Sequence, residues 1–141
     1  AAAARGVTVR LMVSDWQKRD PEALQALVRD AGIAVKLVTI PADPSGFIPY
    51  ARVVHAKYLV ADDIRAWIGT SNWQGDYFFQ SRNAGVVIEG PHAVTKQLAR
   101  SFEQLWQSGY GEALDPDAEY QPPRIGFIPA LPARSTASWP L

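Results

Sequence analysis

The sequence predicts an α/β fold: a mixed sheet flanked by helices, followed by an irregular proline-rich C-terminal tail. Three observations carry this expectation. Short β-branched runs alternate with two segments whose apolar residues recur every three to four positions. Of 141 residues, 48% are hydrophobic and 20% charged, the balance of a globular chain long enough for one domain. Six of the 11 prolines fall between Pro116 and Pro140, where no periodicity survives. Lys+Arg and Asp+Glu number 14 each, so bulk charge alone does not hold this chain on nucleic acid or membrane, although a local basic site remains possible. Zero cysteines exclude disulfides, thiolate nucleophiles and cysteine-ligated zinc. No apolar run approaches the roughly 20 residues of a membrane helix.

Along the chain, Ala1 to Gly6 reads as the end of a helix: alanines, then a basic last turn, then a C′ glycine. Four residues cannot nucleate a helix alone, so a fragment of a longer polypeptide is expected, a flexible alanine-rich start or tag scar being the competing reading. Val7 to Val13 reads as a strand. Asp20 is the expected N-cap of a helix opened by Pro21, with Leu24, Leu27, Val28 and Ala31 on one face and Gly32 as its stop. Ile33 to Ile40 is a second strand, which makes a right-handed β-α-β unit. The loop of residues 41–49 leads to a long strand from Tyr50 to Ala61, a turn at Asp62-Asp63 and a return strand from Ile64 to Ile68. Gly69 to Ser81 is expected as loop with at most one helical turn, and Asn83 to Ile88 as another strand. Pro91 opens a helix buried through Val94, Leu98, Phe102 and Leu105, and Gly109 ends it.

Chemistry concentrates in His55-Ala-Lys57-Tyr-Leu-Val-Ala-Asp62 and Gly69-Thr70-Ser71-Asn72. On a strand, positions i and i+2 share a face, so His55 and Lys57 project side by side. Two such groups are costly to bury without an anion, and a phosphate would supply one. The Gly-Thr-Ser-Asn turn can present hydroxyls, an amide and backbone N–H groups to the same place. An idle pair on an exposed strand is the competing reading; the aspartate and the turn at fixed spacing weigh against it.

His55-x-Lys57-x4-Asp62-x6-Gly69-Thr70-Ser71-Asn72 resembles the HKD motif of the phospholipase D superfamily. The flanks, Ile48 to Val53 and Gly69 to Phe78, look more like the branch containing the lysosomal single-strand exonucleases and their bacterial and poxviral relatives. The resemblance covers roughly residues 5 to 110 and places them in the C-terminal half of a two-motif protein. It implies a phospholipase D-like half-domain and a mechanism in which two motifs face each other. One histidine attacks phosphorus to form a phosphohistidine; the other protonates the leaving oxygen and then activates water. The resemblance assigns His55 and Lys57 as catalytic, His55 as nucleophile or general acid. Asn72, with Thr70 or Ser71, would bind phosphate, and Asp62 would fix the turn. Many members place a glutamate downstream to orient a histidine; this chain offers Gln80 and Asn83 there. No cofactor and no metal are implied.

Other candidates carry less. His92, next to Pro91, has no metal-spaced neighbour and reads as a surface or capping residue. Asp62-Asp63 is better explained as a turn than as a metal pair, and Arg82 as a salt-bridge partner than as a phosphate ligand. Trp73, Tyr77, Phe78 and Phe79 read first as core and second as a platform for a base or lipid tail, which Trp16 could join.

The expected organisation is a catalytic half-domain over residues 1–112 and an extended tail over 113–141. The expected activity is phosphodiester hydrolysis, with single-stranded nucleic acid as substrate. Phospholipid, with hydrolysis or phosphatidyl transfer, is the alternative; a non-catalytic binding module is a third. The expected partner is a second HKD half, from the N-terminal part of the same precursor or a symmetric copy. The residues leave the compartment open, a periplasmic, secreted or lumenal one being favoured over the cytoplasm.

Overall fold

The computed structural model describes residues 2–41, 43–46, 48, 51 and 53–121. Within them the mixed α/β architecture is as expected, but the strands divide into two three-stranded sheets. The first holds β1 (Arg10–Ser14), β2 (Ala34–Val38) and β6 (Gly111–Ala113), in the order β1-β2-β6. β1 and β2 run parallel, Leu11 opposite Val35 and Val13 opposite Leu37, joined by α1 (Glu22–Ala31). β6 returns antiparallel along β2. The second sheet is an antiparallel meander of β3 (Tyr58–Ala61), β4 (Arg65–Gly69) and β5 (Gly85–Glu89). A short α2 (Gly75–Phe79) lies between β4 and β5, and α3 (Ala93–Gln107) follows β5.

Local chemistry explains most boundaries. Gly6 closes a 3-10 turn at Ala3–Arg5 with φ 85°. A second 3-10 turn, Asp15–Arg19, was not expected; the Ser14 hydroxyl starts it by accepting from the Trp16 N–H. Pro21 opens α1, yet Asp20 contributes no side-chain cap. Gly32, at φ 62°, ends α1 as expected and donates to the Leu27 and Val28 carbonyls.

The main core lies under the first sheet, where Leu24, Val35, Leu37 and Leu114 are buried and Leu11, Val13, Leu27, Val28, Ile33 and Tyr120 pack around them. Leu114 and Tyr120 correct the expected domain boundary. The 112/113 cut falls inside β6, and the chain after it folds back onto α1. There Gln25 donates to the Asp115 and Ala118 carbonyls and Arg29 pairs with Asp117. These contacts hold an aperiodic, proline-containing segment in place without regular secondary structure. From residue 122 onward the expected tail lies outside the described residues.

α3 packs on both sheets, touching β3, β4 and β6. Its C-terminal half is clasped to the first sheet. Arg10 pairs with Glu103 at 2.8 Å and sits over the rings of Phe102 and Trp106, while Lys36 donates to the Trp106 carbonyl. At its start, Val94 is 51% exposed and Thr95 fully buried, so the buried stripe enters one residue later than the apolar pattern predicts. The Thr95 hydroxyl is enclosed there without a hydrogen-bond partner among the described residues.

Candidate functional site: an HKD-type segment on the second sheet

The expected strand from Tyr50 forms a regular ladder only from Tyr58; residues 50 and 52 of it lie outside the described residues. Just ahead of β3 the chain stays beside β4 for one more step, the Gly69 N–H donating to the Lys57 carbonyl at 3.0 Å. Register then fixes the faces. Tyr58, Val60, Ala66 and Ile88 share the side toward α3. Lys57 stands level with Gly69 and Gly85, on the side that also carries Leu59, Trp67 and Val87. His55 lies ahead of this ladder, in a segment without regular strand pairing.

His55 is exposed and Lys57 half-buried, and neither makes a hydrogen bond or ion pair with any described residue. Desolvation lowers the Lys57 pKa from the ordinary lysine value, and likewise raises that of Tyr58. A partly desolvated ammonium without a counter-charge among the described residues is suited to receive an anion. The hairpin behind them turns at Asp62 and Asp63, both with positive φ (52° and 56°), a conformation aspartate tolerates in tight turns. Asp62 is therefore placed at the turn, away from the pair.

The Gly69-Thr70-Ser71-Asn72 segment leaves the end of β4 beside Lys57. The Thr70 hydroxyl is already committed: it donates to Asn83 Oδ1 at 3.0 Å and accepts from the Ala84 N–H at 3.2 Å. Ser71 is buried, and Asn72 half-buried; neither side chain hydrogen-bonds to a described residue. Asn83 does not orient His55. Its amide donates to the Tyr77 carbonyl at 2.7 Å, so it ties the motif turn to α2. Gln80 ends α2, is exposed, and makes no side-chain bond to His55.

Other expectations fall as follows. His92 sits exposed at the N-cap of α3 without a side-chain cap bond. Arg82 is exposed on the loop after α2 and forms no ion pair with a described residue, contrary to expectation. The aromatic cluster is not core: Trp73 is 61%, Phe78 51% and Phe79 88% exposed. Trp16, on the other sheet's 3-10 turn, makes no ring contact with them.

The residue that sequence reasoning missed is Trp67. A Cβ on Gly69 would come within 2.2 Å of its indole, and one on Gly85 within 2.7 Å. Neither glycine has positive φ, so ring space and not backbone conformation explains them. The available signal was a large aromatic residue two positions before a strand glycine. No group of three or more His, Cys, Asp or Glu side chains is placed to hold a metal among the described residues, and no described helix is long and apolar enough to cross a membrane.

Residues 1–106 match the family model described as "Cardiolipin synthase, PLD-like domain". The chain belongs to the phospholipase D superfamily. Its relatives include "5'-3' exonuclease PLD4" of Mus musculus, 38% identical over 132 residues (82% of this chain, 26% of that protein). The "5'-3' exonuclease PLD3" of Homo sapiens is 38% identical over 127 residues (82% and 26%). "Probable phospholipase D F09G2.8" of Caenorhabditis elegans is 37% identical over 128 residues (80% and 23%). The chain thus spans about a quarter of the length of these relatives. Its phospholipase D-like fold is shared with the crystal structure of a phospholipase D family member, Nuc from Salmonella typhimurium. That match has a TM-score of 0.60 and 19% identity over 80% of this chain and 68% of that one.

Proposed function

We propose that this chain is one half of a phosphodiesterase site that cleaves single-stranded nucleic acid through a phosphohistidine. The observation that carries this reading is Lys57, partly desolvated, without a partner among the described residues and level with the start of the Gly69-Thr70-Ser71-Asn72 turn, two residues after an exposed His55 that also has no described partner. The exonuclease names of the PLD3 and PLD4 relatives favour nucleic acid over lipid.

In this mechanism a histidine nitrogen attacks phosphorus, the P–O bond to the leaving group breaks, and a second histidine gives that oxygen its proton. The second histidine then takes a proton from water, whose oxygen attacks phosphorus and breaks the P–N bond. His55 fills one of these roles. Lys57 and Asn72 hold the non-bridging oxygens and stabilise the charge that develops on them. Unaided phosphodiester hydrolysis is so slow that catalysis must lower the barrier by on the order of 20 kcal/mol, and one His and one Lys do not suffice. A second HKD half completes the site. Aliphatic exposure on the face that carries Trp67 supports such docking, with Leu59 at 45% and Val87 at 67%.

A phospholipid diester is the second reading, favoured by the description of the matching family model. The test is a substrate panel of single-stranded DNA and phosphatidylcholine, run with a strong chelator, for the parent, His55→Ala and His92→Ala. Chelator-resistant DNA cleavage, lost by several orders of magnitude only in His55→Ala, is expected. An acid-labile phosphoenzyme should form on labelled substrate. Activity retained above about a tenth in His55→Ala, or an equal loss in His92→Ala, would remove the assignment.

A further inference from the structure

The geometry points to a nucleobase-stacking subsite in the cavity between α2, the end of β4 and the start of β5, next to the catalytic row. The inference rests on the nucleic-acid reading above and specifies how that substrate is held. The cavity has a volume of about 250 Å³ and is open to solvent. It begins at Gly85, which pairs with Gly69, whose N–H reaches the Lys57 carbonyl. A chain with its phosphate at Lys57 therefore has a neighbouring nucleotide within reach of the cavity.

Its lining combines two kinds of chemistry. Trp67, Tyr77 and Phe78 supply aromatic surface, and Trp73 braces it, edge-on to Trp67 at 5.4 Å and tilted against Phe78 at 6.2 Å. Ser71 and Ser81 supply hydroxyl groups, Asn83 adds an amide held by Thr70 and the Tyr77 carbonyl, and the Ser71 hydroxyl has no hydrogen bond within the described residues. A base has a flat π face and a polar edge and matches both kinds of lining; an acyl chain would leave the hydroxyl groups unmatched. The site is also built and not incidental. Gly69 and Gly85, at ordinary φ, leave the space that Trp67 occupies at its wall. The aliphatic residues Leu59 and Val87 lie outside this lining, so a docking half and a bound base need not compete for the same side chains.

The experiment reads quenching of tryptophan fluorescence in the assembled protein carrying His55→Ala, so that the oligonucleotide is not consumed. Tetrathymidylate is compared with the same strand built on tetrahydrofuran sugars, which lack bases. The base-free strand should bind about ten-fold more weakly. Phe78→Ala should weaken tetrathymidylate binding by a similar factor and the base-free strand no further, because the contact it removes is already absent there. Phe78→Leu keeps the bulk without the π face and should behave alike if the alanine variant is unstable. Phe79→Ala, one position on and outside the cavity, should shift neither value. Equal affinity for the two strands, or losses that simply add, overturns the subsite; so does quenching by phosphatidylcholine vesicles without base dependence. Failure of the phosphodiesterase reading shows separately, as no DNA cleavage by the His55-intact protein.

Discussion

Trp67 and Gly69 occupy one space. The indole stands where the Cβ of any other residue at position 69 would fall, 2.2 Å from the nearest ring atom. Gly69→Ala must push the ring aside and break its edge contact with Trp73. Overpacking of this kind costs about 1–3 kcal/mol. A lower denaturant midpoint, with a changed near-ultraviolet tryptophan signal, is expected. A variant as stable as its parent, with an unchanged spectrum, would contradict the packing described.

Lys57 should be a residue kept for function at the expense of stability. Desolvation lowers its folded-state pKa, so the folded state holds the ammonium less willingly than the unfolded chain does. That penalty is fully present below the folded pKa and disappears as pH rises through it toward the unfolded value. Lys57→Met should therefore unfold no earlier than the parent at neutral pH while losing cleavage by about 10² to 10³. Thermal unfolding and turnover measured on the same preparation check both halves of the statement.

Asn83 should matter through the turn it holds. Its Oδ1 accepts from Thr70 and its Nδ2 donates to the Tyr77 carbonyl, which ties the Ser71-Asn72 backbone to α2. Asn83→Ala releases both links, whereas Asn83→Asp keeps the acceptor. Loss of turnover should be greater for alanine than for aspartate, and Thr70→Val should resemble the alanine variant. An order with aspartate worst would point instead to charge near the phosphate.

The clasp between α3 and the first sheet should respond to acid. Hydrogen bonding from Gln107 and then from Arg10, together with the Arg10 charge, holds Glu103 below the ordinary carboxylate value. Its contribution is present above the unfolded pKa, roughly 4.3, and is lost as pH falls through the folded value. Glu103→Gln should be less stable than the parent at pH 7 and approach it at pH 3. A constant gap across that range would assign the loss to packing.

The β-α-β unit, the Gly32 stop and the motif hairpin were legible because each rests on local chemistry within a few residues. The partition into two sheets was not, since the pairing of β6 with β2 joins residues some 75 apart along the chain, such as Lys36 and Ala113. Leu114 and Tyr120 were hidden by the same lack of periodicity that marked the tail, and only tertiary contact with α1 orders them. At the site, strand alternation predicts a shared face for His55 and Lys57, whereas the regular ladder begins just after them, at Tyr58. It could not show that Asn83 serves the turn instead of the imidazole, because that choice depends on where α2 brings the Tyr77 carbonyl.

The uneven burial of the two sheets has a consequence for how the molecule opens. Leu24, Val35, Leu37 and Leu114 lie under the first sheet, whereas Ala66 is the buried apolar residue of the second among those described. Amide protons of β3 to β5 should exchange with solvent well before those of β1 and β2, through a local opening that leaves the first sheet folded. Whatever covers the motif face should slow exchange at Leu59 and Val87 selectively, so protection there reports assembly of the site without any assay of its chemistry.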